Sequence, residues 1–439
     1  MPSRHVVCAA IVIAATTLSI DSGWAGSSAS ATQGAPAGLD AEVQSYELEA
    51  LDSRLKTIPT GVEHDYAAGI LAARSARAEE AIGLLTRTLP ALRHAHPARA
   101  AHALEALADS YMLLYRYREA ADAYGDLKDH FPGLLQNDVT DDAALAQILA
   151  GAPPQTIDWS GSLRLPTTRN PIGSVVSALE AGGVREDWLL DTGANQSVVS
   201  RSFAKRLGLK LLVGSASVGS GVTGRKSALQ AAIVPELRLG DARIGNVAVI
   251  VLDDESLQVG PPGQKYQIQA ILGFPTLKAL GSITFTHDGS FLAARPADAP
   301  AGAAMFLRGL TPAIDCEVQG QHLLFTFDTG ASSTDLSVRY YERFRGDAAS
   351  WRTQKVENGG AGGSVTLTMF IQPAVNFRVG ASTVTLKDVP IFSSRMNSGI
   401  DVLYGNVGQD FVAGFERFTL DFVHMRFTLG PTLSSSPTR

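Results

Sequence analysis

Two short segments of the chain place an aspartate in the same local setting. Asp191-Thr-Gly-Ala follows the apolar run Trp188-Leu-Leu, and Asp328-Thr-Gly-Ala follows Leu323-Leu-Phe-Thr-Phe. If the fold brings the two carboxyl groups side by side, they cannot both ionise at low cost, so they share one proton and offer a base and an acid together. Such a pair titrates as a unit, and the sequence does not say which aspartate holds the proton.

Further landmarks follow each aspartate at similar distances. Leu237-Arg-Leu-Gly240 lies 49 residues after Asp191, and Phe377-Arg-Val-Gly380 lies 52 residues after Asp328. Ile271-Leu-Gly273 and Asn406-Val-Gly408 come next, and after each of them a threonine stands eleven residues beyond the glycine. A register held over about 90 residues predicts two copies of one β-rich fold, because the runs between these landmarks are short, alternating and punctuated by glycine.

This pattern resembles the aspartic proteases, the class that includes pepsin and the retroviral proteases. The resemblance covers residues 156–430 and rests on the two Asp-Thr-Gly-Ala segments and on the apolar-apolar-Gly elements that end at Gly273 and Gly408. Asn406 stands where the family has an apolar residue, and Tyr404-Gly405 offers a competing alignment. The alanine after each triplet is more similar to the retroviral members than to pepsin.

The resemblance implies a mainly β, bilobal acid protease fold with lobes at 156–296 and 303–430. The lobes are expected to join through the Pro/Ala-rich linker near residues 295–302. The implied activity is peptide-bond hydrolysis on a peptide or protein substrate, with Asp191 and Asp328 as the catalytic pair and with no cofactor or metal.

The residues beside the aspartates are expected to support both loops. Thr192 and Thr329 can hydrogen-bond to the backbone across a pseudo-twofold axis. Gly193 and Gly330 keep each turn free of a Cβ, so that the N–H groups can face the carboxylates.

Two glycine-rich segments, each about 30 residues after an aspartate, are candidates for the tips of flap hairpins that cover a substrate. The candidate flap residues are Gly219, Gly221, Val222, Gly360 and Gly362. The first segment also spells Gly-x-Gly-x-x-Gly, a dinucleotide fingerprint that would need a helix after it, whereas the chain there continues into a strand-like pattern. Plain loops without a flap role are the other interpretation.

Residues 42–150 have the helical spacing i, i+3, i+4, i+7 and predict an all-α domain that ends at the Gly- and Pro-containing segment 151–155. Two copies of the 34-residue tetratricopeptide (TPR) pattern are proposed within it. The positions that carry them are Leu104, Leu107, Ala108, Tyr111, Ala120, Tyr124, Leu127 and Pro132, with a weaker copy at Ala68, Gly69, Ala72, Ala81 and Leu85. The copies are offset by more than one ideal period, which predicts a long connection between Pro90 and Pro97. The concave face of the repeats can hold a protein partner or pack on the next domain.

Residues 1–31 have the form of a secretory signal peptide, with Arg4-His5 followed by a 15-residue apolar run and then small residues. The expected protein is therefore exported, periplasmic or secreted, with no membrane span in the mature chain. Loss of this leader removes Cys8 and leaves Cys316 as the single cysteine, which excludes a disulfide framework. Cys316 lies in the alternating apolar run 313–318, which predicts a buried thiol.

The composition limits the remaining possibilities. A chain of 439 residues with 45% hydrophobic residues predicts two to four globular domains, and a formal charge of −6 without a basic run argues against a nucleic-acid partner. The nine histidines show no metal-ligand spacing. Three functions remain open: an exported aspartic endopeptidase, a non-catalytic protein-binding scaffold with a protease-like fold, and a precursor in which residues 32–155 block the cleft.

Overall fold

The structure is a computed structural model that describes most of the chain beyond residue 37. The described residues are 8–9, 38–134, 137–214, 216–219, 226–260, 265–360, 363–395 and 399–433. Most of the predicted leader, residues 1–31, lies outside this range, although Cys8–Ala9 forms a short strand that pairs in parallel with Asn358 and Gly359. No helix within the described ranges is long and apolar enough to cross a membrane.

The first part of the chain is helical. Its α-helices are Leu39–Gln44, Leu48–Leu55, Val62–Arg74, Ala78–Ala95, Pro97–Leu113, Tyr117–His130 and Asn137–Leu149. Each helix packs against the next one along the chain, and alanine and leucine side chains fill the contacts between them. At Gly69 a Cβ would lie 2.6 Å from Leu85 Cδ2, so a larger residue there would require the buried Leu85 side chain to shift. The TPR interpretation of this region stays a prediction.

The expected long connection between Pro90 and Pro97 is wrong. The helix Ala78–Ala95 continues through Pro90, and only His96 separates it from the helix that begins at Pro97. Pro90 lies on an exposed face of the helix, and Pro97 occupies a first-turn position where its missing N–H costs nothing. The extra residues between the two sequence copies therefore lengthen a helix instead of a loop.

The chain is β-rich from Thr156 onward, and the first lobe is built on a nine-stranded sheet. Its strands are Thr156–Asp158, Thr168–Arg169, Val175–Ala181, Val184–Leu190, Ser197–Ser200, Ala216–Gly219, Lys226–Leu239, Ala242–Leu252 and Ala270–Leu272. Short helices at Arg201–Arg206 and Phe274–Ala279 and a small ribbon of Gln258–Val259 with Tyr266–Gln267 complete the lobe. The strand Ala270–Leu272 is buried throughout, as its uninterrupted apolar sequence predicts.

The second lobe repeats this arrangement. Its strands are Ala303–Arg308, Thr311–Val318, Gln321–Phe327, Asp335–Leu336, Arg352–Gly360, Gly363–Val379, Ser382–Phe392 and Gly405–Val407, with helices at Val338–Phe344 and Gln409–Val412. In both lobes a short central strand, Ala270–Leu272 or Gly405–Val407, runs parallel to the strand before the aspartate and antiparallel to the strand after it. The sequence repeat is thus a repeat of topology.

Strand pairing joins the two lobes. A central sheet contains strands of both lobes, which pair in the order Ala303–Arg308, Arg426–Leu429, Arg417–Asp421, Ser282–Thr286, Ser290–Ala294 and Ser162–Pro166. At its centre Thr284 pairs with Thr419, and their hydroxyl oxygens are 2.7 Å apart. The linker near residues 295–302 is therefore not the only connection, because backbone hydrogen bonds of the central sheet also hold the lobes together.

The helical region contacts both lobes. The Tyr115 hydroxyl donates to the carbonyl of Pro275 in the first lobe at 2.7 Å. In the second lobe, Arg339 binds the Glu47 carboxylate at 2.7 Å and lies over the ring of Tyr404, with its guanidinium carbon 4.3 Å from the ring centroid.

Candidate active site

Each aspartate stands at the end of a central strand and is held there by its neighbour in the sheet. The Asp191 N–H donates to Leu272 O at 3.0 Å, and the Asp328 N–H donates to Val407 O at 3.0 Å. Val407 thus takes the place of Leu272, which supports the alignment through Asn406-Val-Gly408 over the competing one through Tyr404-Gly405.

The two apolar-Gly loops come so close to the aspartate loops that a side chain would not fit. A Cβ at Gly273 would lie 2.8 Å from Ser197 N, and one at Gly408 would lie 2.7 Å from Ser333 O. The Gly273 N–H donates to the Ser197 hydroxyl at 3.1 Å, and the Gly408 N–H donates to the Thr334 hydroxyl at 3.2 Å. Sequence reasoning missed these hydroxyls, although Ser197 and Thr334 stand at the same offset from their aspartates.

The threonines of the two triplets hydrogen-bond across the interface between the lobes. The Thr192 hydroxyl donates to Phe327 O at 2.9 Å and accepts from Thr329 N–H at 3.1 Å. In the mirrored arrangement, the Thr329 hydroxyl donates to Leu190 O at 2.8 Å and accepts from Thr192 N–H at 3.0 Å. Both side chains are buried, so four hydrogen bonds shielded from water fix one aspartate loop on the other.

The carboxyl groups are oriented by their own loops. One oxygen of Asp191 accepts from the N–H groups of Gly193 and Ala194 at 2.9 and 3.1 Å. One oxygen of Asp328 likewise accepts from the N–H groups of Gly330 and Ala331 at 2.7 and 3.1 Å.

Each glycine also faces the opposite carboxyl. A Cβ at Gly193 would lie 2.5 Å from Asp328 Oδ1, and one at Gly330 would lie 2.5 Å from Asp191 Oδ2. Glycine at both positions therefore gives the carboxyl groups room to approach each other.

Burial raises the pKa of both aspartates. Asp191 is 0% exposed and Asp328 is 1% exposed. Burial is the main cause of a pKa well above the usual range for Asp191, and the charge of Asp328 adds to it. Burial also raises the pKa of Asp328, but hydrogen bonds from Asp191, Gly330, Ala331 and Asn406 oppose that rise. The pair is therefore suited to hold one proton between two carboxyls.

A chain of hydrogen bonds leads from this site into the helical region. The Ser197 hydroxyl, which accepts from Gly273 N–H, is 3.2 Å from the Thr276 hydroxyl. Thr276 donates to Gln155 Oε1 at 3.1 Å, and Gln155 Nε2 donates to the Tyr115 hydroxyl at 2.9 Å. No sequence signal identifies Gln155 or Tyr115, because their partners are distant in the chain.

The candidate flap glycines lie at hairpins where the structure describes them. Gly219 ends the strand Ala216–Gly219, which pairs with Lys226–Leu239, and Gly360 ends Arg352–Gly360, which pairs with Gly363–Val379. Gly221, Val222 and Gly362 lie outside the described residues. The segment that begins at Lys226 is a strand and not a helix, so the dinucleotide fingerprint lacks the helix it requires.

Within the described part of the chain, no group of three or more His, Cys, Asp or Glu side chains is placed to hold a metal ion. Cys316 is fully buried, and burial raises its pKa well above the usual range, which keeps the thiol protonated.

Comparison with known proteins agrees with the β-rich part of this description. The family described as aspartyl protease matches residues 178–276, which include Asp191 and Gly273. No curated protein matches the chain. The matched solved structures include the basic 7S globulin from soybean, which is 11% identical over 63% of this chain and 96% of its own, with a TM-score of 0.39. A retropepsin-like aspartic protease from Rickettsia conorii is 16% identical over 32% of this chain and 90% of its own, with a TM-score of 0.20. The family match and the duplicated topology show an aspartic protease-like fold.

Proposed function

We propose that this protein is an exported aspartic endopeptidase that hydrolyses peptide bonds with a water molecule activated between Asp191 and Asp328. The observation that carries the proposal is the paired site itself. Two buried carboxyls stand at equivalent positions of two lobes, each faces a glycine of the opposite loop, and both loops are fixed by the Thr192–Thr329 hydrogen bonds.

The arrangement supplies the proton transfers that hydrolysis of an amide needs. The ionised carboxyl accepts a proton from water as the water oxygen bonds to the carbonyl carbon, and the protonated carboxyl gives its proton to the carbonyl oxygen. The tetrahedral intermediate then breaks its C–N bond: the amine nitrogen receives a proton from one carboxyl of the dyad, and a hydroxyl of the intermediate gives its proton to the other carboxylate, which restores the singly protonated pair. The burial of Asp191 and Asp328 away from bulk solvent strengthens the electrostatic interactions in these steps.

The direct test is hydrolysis of unfolded protein substrates between pH 3 and 7 by the purified protein and by Asp191→Asn and Asp328→Asn. Both variants should lose activity, because an amide can neither accept the proton of water nor return it. Asp388→Asn is a matched control, since Asp388 is exposed and its positive φ of 53° suits asparagine. Hydrolysis that survives either dyad substitution would overturn the proposal.

Binding without turnover would identify the alternative, a non-catalytic scaffold. An enzyme should bind a tetrahedral peptide mimic more tightly than the matching peptide, whereas a scaffold has no reason to prefer it. Equal affinity for the two ligands, together with absent hydrolysis, would favour the scaffold.

The helical region is proposed to pack on both lobes, and its TPR-like face is proposed to remain available to a protein partner. The contacts of Tyr115 with Pro275 and of Glu47 with Arg339 support the packing role. A specific cleavage site placed within residues 151–154 of the full chain would test the precursor alternative. A gain of activity upon cleavage would mean that the helical region inhibits the enzyme.

Export is proposed from the leader-like residues 1–31 alone. N-terminal sequencing of the protein purified from its native cells should place the mature start near residue 26 or 32. An intact Met1 on protein recovered from the cytoplasm would contradict export.

A further inference from the structure

The two halves of the candidate active site differ in polarity on one face of their sheets. Beside Asp191, Ile271 pairs with one residue on each neighbouring strand, and beside Asp328, Asn406 does the same. The first set is apolar and the second is polar at every equivalent position: Leu189, Val198 and Ile271 against Thr326, Asp335 and Asn406. Polar groups in such a place carry a desolvation cost unless they are hydrogen-bonded, so their partners are informative.

Asn406 is oriented toward the catalytic pair. The Thr326 hydroxyl donates to Asn406 Oδ1 at 2.7 Å, and in this orientation the amide nitrogen of Asn406 faces Asp328. Asn406 Nδ2 then donates to Asp328 Oδ2 at 3.4 Å. Asn406 is 8% exposed, so water does not compete strongly for this long contact.

Asp191 has no equivalent donor on its side. Asp191 Oδ2 is buried and accepts no hydrogen bond from an N–H or hydroxyl group of the described residues, so its polar neighbour is the carboxyl of Asp328. The position that corresponds to Asn406 is Ile271, which is fully buried and cannot donate. One carboxyl of the pair is therefore stabilised as an anion by a side-chain amide, while the other presents a bare oxygen that is better occupied by a proton.

We infer that Asn406 holds the negative charge of the dyad on Asp328, so that the shared proton lies on Asp191. The inference rests on the proposed function and deepens it. Asp328 becomes the base that takes the proton of water, and Asp191 becomes the acid that protonates the substrate oxygen. Asn406 is a positioning residue, and Thr326 acts through it.

Two other acidic residues of the second lobe, Asp335 and Asp410, would oppose ionisation of Asp328. Asp335 stands opposite Asn406 on the neighbouring strand. Asp410 accepts from the N–H and hydroxyl of Thr334 at 2.9 and 2.7 Å, and burial raises its pKa. Any charge on these carboxyls disfavours a charge on Asp328. They therefore do not explain a preference for ionised Asp328, whereas the amide of Asn406 does.

The test compares two exchanges in the full-length protein. Asn406→Ile copies the first lobe onto the second, and Ile271→Asn copies the second onto the first. The pH dependence of kcat/KM is measured for both and for the wild type.

The assignment predicts that each exchange moves a different limb of the pH profile. Asp328 is ionised both in the singly ionised dyad and in the doubly ionised dyad, so loss of Asn406 should destabilise both states equally. The pH midpoint of the acid limb should therefore rise by about 0.5–1 pH unit, while the midpoint of the alkaline limb stays in place. Ile271→Asn should instead lower the pH midpoint of the alkaline limb, because the new amide donor stabilises Asp191 only after Asp191 loses the shared proton.

The opposite pattern would overturn the inference. If the proton lay on Asp328, Asn406→Ile would raise the alkaline limb and leave the acid limb unchanged, and unshifted limbs would show that Asn406 does not act on the dyad. Thr326→Val, which removes the hydroxyl that orients the amide, should shift the acid limb in the same direction by a smaller amount and serves if Asn406→Ile does not fold.

An inactive wild type would refute the proposed function but not the proton assignment. In that case, potentiometric titration of the folded proteins decides. Asn406→Ile should retain more bound protons than the wild type on the acid side of the titration, and coincident curves would contradict the assignment.

Discussion

The hydrogen bonds between Thr192 and Thr329 should make a measurable contribution to the stability of the two-lobed unit. Thr192→Val keeps the shape of the side chain and removes only the hydroxyl. That hydroxyl donates to Phe327 O and accepts from Thr329 N–H, and both of these partners belong to the other lobe.

The cost can be estimated from what is left behind. Thr192 is 0% exposed and Thr329 is 2% exposed, so water cannot replace the lost partner. A buried backbone group without a hydrogen bond costs about 1–3 kcal/mol. With two groups affected and little change in volume, the free energy of unfolding should fall by about 2–4 kcal/mol. Thr329→Val should cost a similar amount, because its two hydrogen bonds mirror those of Thr192.

Urea denaturation followed by tryptophan fluorescence measures the effect, since Trp188 is buried in the strand that leads to Asp191. Thr192→Ser is the matched control: it keeps the hydroxyl and loses one methyl group, which costs about 1 kcal/mol. Valine should therefore be clearly less stable than serine. If the valine variant is as stable as the serine variant, the threonine hydroxyls do not hold the lobes together.

The remaining predictions concern other parts of the molecule. Gly330→Ala places a Cβ 2.5 Å from Asp191 Oδ2 and should lower kcat/KM about 100-fold or more, whereas Gly346→Ala, which meets nothing within 4 Å, should not. Because the pKa of Asp191 is raised in the folded state, this group holds its proton more tightly in the folded than in the unfolded chain, and its contribution to stability is lost as pH rises above about 4. Asp191→Asn should therefore gain stability relative to the wild type between pH 4 and 7, and an unchanged difference in melting temperature across this range would contradict the raised pKa. Tyr115→Phe should lower the free energy of unfolding by about 1–2 kcal/mol through its two lost hydrogen bonds, and Tyr111→Phe, in the helix that ends just before Tyr115, is the control. Equal stability of the two tyrosine variants would show that the Tyr115 hydroxyl contributes nothing.

The repeated part of the site is the part that the sequence predicts best. The similar spacing of Gly273 and Gly408 from their aspartates, 82 and 80 residues, can be found without coordinates, because a duplicated fold preserves the order and approximate spacing of its strands. The structure places Leu272 and Val407 at the equivalent points where that register requires them.

Features that break the repeat, or that join distant segments, could not be predicted in the same way. Asn406 departs from the pattern in the sequence, but its role depends on how Thr326 orients the amide. Tyr115 and Gln155 act through contacts with Pro275 and Thr276 that no local pattern encodes. Pro90 would normally end a helix, yet packing of the neighbouring helices keeps the helix intact beyond it.

The helical region contacts both lobes and therefore restrains the movement of one lobe relative to the other. Two lobes connected by a sheet can rock about it, which would widen or narrow the space between them. Here such rocking would strain either the Tyr115 contact with Pro275 or the Glu47 contact with Arg339. A partner that binds the helices would influence the separation of the lobes through these two points of attachment.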